Sequence, residues 1–392
     1  MSELLESRWV DTKNALLEGL QGNKKSVMAA TLENTRKYLS ESATAGATSA
    51  GNVATLNRVI LPVIRRVMPT VIANELVGVQ PMTGPVGQIH TLRVRYSDTN
   101  DATGTANDVT AGDEALSPFK IAEAYSGDGT AGKAASTAAL EGAAGRKMSI
   151  QILKQTVEAK TRKLSARWTF EAAQDAQSMH GIDVEAEIMA ALAQEITAEI
   201  DQEVIGSLVT LSGTAAQEYD QTAVSGTATF VGDEHAALAV QINRVSNLIA
   251  QRTRRGAGNW AVVSPFALTI LQSATTSAFA RTTEGTFEAP TNTKMVGTLN
   301  NAMKVYVNTY AADDAPVLIG YKGASESDAA AFYCPYIPLM SSGVVLDPGT
   351  FEPTVSFMTR YGYVELNNTA SSLGNAADYL GNVSIAAGVT FS

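Results

Sequence analysis

The chain has a single cysteine, Cys334, and three histidines in 392 residues. One thiol excludes an intrachain disulfide and any cysteine cluster for zinc. It reads instead as a small buried hydrophobe. His90, His180 and His235 are too widely spaced to supply metal-ligand pairs at helical or ribbon spacing, so neither a metal nor a cofactor is expected. Charge is scarce too. Asp, Glu, Lys and Arg make up 17% of the chain, against roughly 25% in ordinary soluble domains. With 45% apolar residues, that balance suits a chain that hides much of its surface against copies of itself, and equally a well-packed large enzyme.

Basic tracts are missing, and the formal net charge is −10. A chain that uses its whole surface to grip nucleic acid is normally basic, because it neutralises phosphates, so binding of that extent is not expected. Long hydrophobic runs are missing as well. The most apolar stretch, residues 59–79, is broken by Pro62, Arg65, Arg66, Pro69, Asn74 and Glu75, whereas a membrane span needs about twenty nearly uninterrupted apolar residues. Residues 1–10 carry Glu3, Glu6 and Arg8 and no continuous apolar core, unlike a signal peptide. A cytosol-like compartment is therefore expected.

The length suggests two or three compact units. The first forty residues read as a charge-balanced helical segment, with Leu4, Leu5, Trp9, Leu16, Leu17 and Leu20 near helical spacing. Composition then shifts at residues 42–51, SATAGATSAG, a run too small and polar to build a core and therefore a linker or arm. Strict alternation predicts a strand over 89–96, with His90, Leu92, Val94 and Tyr96 on one face. A second alternating stretch, 152–170, places Lys154, Thr156, Glu158, Lys160 and Arg162 on one face and slips phase near Lys163–Leu164, the mark of a bulge. Between them, 97–147 is rich in Ala, Gly, Thr, Ser and Asp, which points to a long two-stranded arm with an elaborated tip.

Helices are predicted over 169–179, 183–208 and 234–255. The second repeats Ile188, Leu192, Ile196, Ile200, Val204 and Leu208 every four residues, with Asp183, Glu185 and Glu187 in its first turn. The third buries Leu238, Ile242, Val245 and Ile249. Short strands at 260–264, 303–307, 317–320 and 330–334, and a strand-like return at 351–365, complete an α+β reading.

Each reactive-looking cluster has a better structural account. GDGTAGKA at 127–134 has P-loop spacing up to Lys133. Ala134 then stands where a magnesium-binding Ser or Thr belongs, and no buried strand precedes it. Asp233-Glu234-His235 sits at a predicted helix start, where acids cap and complement the dipole. Ser264 lacks the glycines of a nucleophile elbow, and Glu185 and Glu187 do not face one another on a helix. Arg65-Arg66 and the 252–255 arginines suit a solvated face, a subunit contact or DNA. No catalytic centre is expected.

Several blocks carry a resemblance. LPVIRRVMP at 61–69 and LVGVQPMTGPVGQ at 76–88 closely resemble the major capsid proteins of T-even-type, contractile-tailed bacteriophages. The likeness continues through QTVEAKTRKL (155–164), EAAQD (171–175), HGID (180–183), EIDQEV (199–204), YCPYIPL (333–339) and MTRYG (358–362). It implies the HK97-like capsid fold, a structural head protein and no enzyme. On that layout, 1–41 is a helical segment and candidate propeptide, and 42–88 the N-arm and start of the peripheral domain. Residues 89–170 form the E-loop hairpin with its tip at 97–147, and 171–229 the peripheral domain with a spine helix at 183–208. Residues 230–335 form the axial domain, and 336–392 the return to the peripheral domain and C-terminal strands.

The resemblance also implies trimming by a head protease that cuts after Glu in Leu-x-Glu or Ile-x-Glu. Leu39-Ser-Glu41 followed by Ser42 fits, as do Leu4-Leu-Glu6 and Leu16-Leu-Glu18. The implied partners are other copies of the chain in hexameric and pentameric capsomers, together with scaffold, portal, protease and vertex or decoration proteins. The enclosed double-stranded DNA would be held without sequence-specific binding, and the shell assembled in the host cytoplasm. The segment 97–147 is too short for the separate insertion domain of larger relatives. An encapsulin-like nanocompartment shell is the alternative in the same fold.

Overall fold

A computed structural model describes residues 9–10, 13–14, 17, 22, 25–34, 72–100, 109–113, 115, 125–127, 134–141, 145–180, 183–221, 231–253, 255–274, 279–281, 294–300, 302–324, 328–366 and 376–386. They divide into two compact units. One takes Met1–Gly87, Val157–Ile205 and Phe332–Val364, and the other Gln88–Thr156, Gly206–Ala331 and Glu365–Ser392. The secondary structure is mixed α+β, with three sheets among the described residues.

The first unit is built on a five-stranded sheet. Its strands run β1 (Gly78–Val79), β11 (Ala331–Ser341), β13 (Pro353–Glu365) and β12 (Val345–Leu346), with β4 (Lys160–Arg167) also paired to β13. β4 meets β13 antiparallel from Thr354↔Arg167 to Tyr361↔Lys160. Helix α1 (Ala73–Leu76) is a single turn. Helix α3 (Phe170–His180) starts where Thr169 Oγ1 accepts the Ala172 N–H at 3.3 Å, the expected place for an N-cap.

The long helix α4 (Val184–Ser212) is capped by Asp183, whose Oδ1 accepts the Glu185 N–H at 3.1 Å. Leu192, Ile196, Ile200, Val204 and Leu208 are buried along it, so the four-residue repeat in the sequence is its core stripe. The helix runs four residues past the expected end and stops at Gly213, whose φ of 68° closes the C-terminus at little steric cost.

The second unit holds a seven-stranded sheet ordered β5 (Gln217–Tyr219), β14 (Leu380–Ile385), β10 (Val317–Gly320), β6 (Trp260–Val263), β9 (Met303–Val307), β8 (Lys294–Leu299) and β7 (Phe279–Arg281). Helix α5 (Val231–Thr253) covers it with Leu238, Ile242, Val245 and Ile249, all fully buried. A Cβ on Gly381 would lie 2.5 Å from Val245, so this glycine lets the helix approach the sheet. Helix α6 (Pro265–Ser273) is capped by Ser264, whose Oγ accepts the Ala267 N–H at 3.1 Å, with proline in the first turn. That cap is the role of the serine weighed above as a nucleophile.

Strands β2 (Val86–Tyr96) and β3 (Met148–Glu158) form a separate two-stranded ladder, with the one-turn helix α2 (Thr137–Leu140) between them. One expectation shifts here. The second alternating stretch breaks at Ala159, not at Lys163–Leu164, and beyond the break β4 leaves β2 for β13. The C-terminal strand β14 adds to the seven-stranded sheet, beside β10.

Candidate assembly surfaces

Among the described residues, the hairpin carries several exposed large apolar side chains. On β3, Met148, Ile150 and Ile152 recur at every second position, so they share one face. They are 54%, 67% and 66% exposed. Lys154, Thr156 and Glu158 continue that face and are exposed too. An isolated two-stranded ribbon is marginal in water, and three consecutive inward-type residues left in solvent have no folding role. Exposed apolar residues grouped on one face are the composition of an interaction surface.

Local bonds border the ribbon at either end. At its root the Ala159 N–H donates to the Pro85 carbonyl at 2.9 Å. Val157 is buried beside Gly362, where a Cβ would meet Val157 Cγ1 at 2.4 Å and Met82 Sδ at 3.4 Å. At the far end Tyr96, Val109, Ala115 and Tyr125 form a small buried cluster. The Tyr125 hydroxyl donates to the Lys147 carbonyl at 2.5 Å and accepts the Asp98 N–H at 3.2 Å. Asp98 Oδ2 accepts the Lys147 N–H at 2.7 Å, and the Arg146 guanidinium lies 5.7 Å from the Tyr125 ring centre. The base of the Ala/Gly-rich segment is thus clamped shut.

Beyond the root, Arg162 on β4 reaches helix α4. It bonds Glu199 at 2.6 Å, Glu203 at 2.5 Å and the Tyr361 hydroxyl at 2.6 Å, and that hydroxyl donates to Glu203. Burial alone would raise the Glu203 carboxyl, but the bonds from Arg162 and Tyr361 outweigh it and hold the group below the usual carboxylate range. Asp201, one residue pair away on α4, is buried and accepts the Ile72 N–H at 2.9 Å. Desolvation pushes it up to about 7 despite that bond.

A second exposed apolar patch lies on β12 and the turn that leads from it to β13. Val344, Val345, Leu346 and Phe351 are exposed there, and Phe351 contacts the exposed Phe170 with ring centres 5.8 Å apart.

The residues examined for chemistry lie apart. His90 is exposed on β2, His180 ends α3, and His235 is buried in α5 with Nδ1 2.5 Å from Ser273 Oγ. Among the described residues no cluster of His, Cys, Asp or Glu could hold a metal ion. Helix α5 begins three residues before Glu234, so that acid lies within the first turn and its carboxylate accepts a bond from Gln221 at 2.8 Å. Arg255 is held inside its own unit by Asp328 at 2.6 Å, with Tyr379 on the same carboxylate oxygen. Burial pushes the Cys334 thiol up to about 11. Residues 128–133, Arg65, Arg66, Glu41 and Ser42 lie outside the described residues. The sequence reading missed the apolar stripe and Phe351, because exposed apolar residues at strand spacing look like a core face until a partner is seen to be lacking.

The sequence profile described as Major capsid protein Gp23 matches residues 53–385. The chain belongs to the Gp23 major capsid protein family. It is a structural head protein of tailed bacteriophages, a component of the virion capsid and not an enzyme. The major capsid protein of Escherichia phage AR1 is 31% identical over 86% of this chain and 80% of that one. That of Enterobacteria phage T4 is 30% identical over the same shares, and that of Vibrio phage KVP40 is 28% identical over 84% and 80%. Among solved structures, the capsid of Myoviridae phage XM1 aligns with 81% of this chain and 92% of its own, at 9% identity and a TM-score of 0.45. A Mycobacterium phage Adephagia chain aligns at 11% identity and 0.48, over 81% and 90%. Neither reaches 0.5, and the assignment rests on sequence.

Proposed function

We propose that this chain closes a head shell by laying its β2–β3 hairpin on a neighbouring copy, in hexameric and pentameric capsomers of an icosahedral or prolate shell around double-stranded DNA. The observation that carries the reading is the solvent-facing stripe Met148, Ile150 and Ile152 on the β2–β3 ribbon. Many moderate contacts of this kind, repeated by symmetry, favour closure. The layout is HK97-like, with 89–158 as the extended loop, α4 as the spine of a peripheral domain and the seven-stranded sheet as the axial domain. A net charge of −10 suits a container whose packaged DNA does not stick to the wall. Scaffold, portal, head protease and vertex or decoration proteins are the further partners of this reading.

Purified full chain, followed by sedimentation and negative-stain microscopy, tests it. Large closed particles are expected, and monomers under every condition tried would contradict it.

Head-protease cleavage between Glu41 and Ser42 belongs to the same reading. It would detach a helical stretch that is docked in the first unit: residues 25–34 bury Val27, Met28 and Leu32. Asn34 Nδ2 also donates to the carbonyls of Met82 at 2.6 Å and Tyr336 at 3.1 Å. Cleavage is therefore a conformational step as well as a trimming one. The intact mass of subunits from mature particles should correspond to a chain starting at Ser42. A mass retaining residues 1–41 would refute it.

A further inference from the structure

Residues 235–283 contain no Asp, Glu or Lys, while Arg244, Arg252, Arg254, Arg255 and Arg281 fall within them. In a chain of net charge −10, such a stretch is a local source of positive potential. Arg162, Arg167 and Arg255 are each paired with a carboxylate. Arg244 is exposed on α5 and pairs with no carboxylate among the described residues. It opens instead onto a cavity of about 360 Å³. Arg244, Asn247 and Gln251 line it from one face of the helix, as their three- and four-residue spacing requires. Gln217, on the edge strand β5, completes the polar lining, and Val245 and Leu248 supply the apolar remainder. Gln217 Nε2 donates to the Ala216 carbonyl at 2.5 Å and keeps its second hydrogen. No carboxylate is among the lining residues. Strand alternation places Glu218 on the face of β5 opposite Gln217. Glu234 stands ten residues before Arg244, about 15 Å along the helix, and is bonded to Gln221.

One guanidinium and three carboxamides bring N–H donors together from a helix and a strand. A side-chain carboxylate would be met by the guanidinium alone, in a two-pronged pair. A phosphodiester fits the cavity better. It offers a full negative charge to Arg244, further oxygens to the amides, and ester flanks to Val245 and Leu248. At about 0.15 M salt the Debye length is about 8 Å, so an anion in the cavity senses Arg244 rather than the net charge of the chain. We propose that the α5 cavity holds a backbone phosphate of the enclosed double-stranded DNA, one per copy and without regard to sequence. This rests on the shell reading given above, which supplies the DNA. One cation among neutral amides grips weakly, so a wall that is acidic overall positions the outermost DNA without a basic tract.

Reconstructions of DNA-filled heads, wild type and Arg244→Gln, test it. Density should bridge the DNA to the Arg244 cavity in the wild type and be missing in the variant, with the shell otherwise unchanged. On heating, the variant heads should admit a DNA-binding dye at a temperature several degrees lower. Gln251→Glu puts a negative charge into the same cavity and should shift dye entry in the same direction. Equal dye-entry temperatures for all three proteins would refute the site. A cavity turned away from the DNA, or filled by a side chain of another protein, would overturn it while leaving the shell reading standing. Cavity density in DNA-free heads bathed in inorganic phosphate, with none in DNA-filled heads, would make free phosphate the ligand and overturn the assignment to DNA. A chain that forms no shell would overturn both readings.

Discussion

At the residue scale, two carboxylates on helix α4 behave in opposite ways. Asp201 is 2% exposed and its carboxyl is pushed up to about 7 by desolvation. A raised acid is more easily protonated when folded, so its contribution to stability is full below the ordinary aspartate range, near 4. That contribution is lost as pH rises through about 7. Asp201→Asn keeps an oxygen for the Ile72 N–H and removes the titration. The variant subunit should be more stable than wild type at pH 8 by a few kcal/mol, on the order of three, with the gap closing by pH 4. Urea unfolding across that range measures it, and a gap independent of pH would contradict the assignment. Glu203 is stabilised as an anion by Arg162 and Tyr361. The pair is about a third exposed, so solvent screening limits its worth. Arg162→Ala should cost about 1–2 kcal/mol in the same assay, with Tyr361→Phe costing less.

At the scale of elements, the hairpin root depends on one missing side chain. A Cβ at Gly362 would press on Val157 Cγ1 at 2.4 Å and lie 3.2 Å from the Glu158 carbonyl. Val157 is buried and stiff at χ1, so it cannot swing away. Gly362→Ala should therefore cost about 1–3 kcal/mol and speed amide exchange at Ala159, whose N–H bonds Pro85. Unchanged exchange there would contradict this account of the root. Elements of this kind were partly legible in the sequence. The Leu192–Ile196–Ile200–Val204–Leu208 repeat and the Asp183 cap defined α4, because a periodic apolar stripe and a capping side chain are local signals. The break at Ala159 was not legible, since alternation runs through it and only the change of partner from β2 to β13 reveals it. The bounds of strand β14 had no local signal, because LGNVSI carries glycine, asparagine and serine. Its buried Asn382 is accommodated by bonds to Ser212 Oγ at 2.9 Å and the Gly213 carbonyl at 3.0 Å, a tertiary arrangement with no local signature.

At the scale of the whole molecule, the sequence disclosed the family, whereas the exposed apolar surfaces emerged only from the structure. Met148 and Ile150 precede the alternating stretch that the sequence marks as a strand, and Phe351 is unremarkable until its backbone conformation is known. Covering one fully exposed aliphatic side chain is worth roughly 1.5–3 kcal/mol, so three per subunit, repeated around every ring, matter greatly to a closed shell. Charging the stripe should be more damaging to assembly than to folding. Ile150→Asp with Ile152→Asp is expected to leave the subunit's melting temperature within a few degrees of wild type and to abolish particles in sedimentation.

The most direct test of the central claim is a cryo-EM reconstruction of particles assembled from the full chain. The account predicts that the β2–β3 hairpin of each subunit lies on a neighbour with Met148, Ile150 and Ile152 buried between them. A closed shell in which that stripe faces solvent would contradict it.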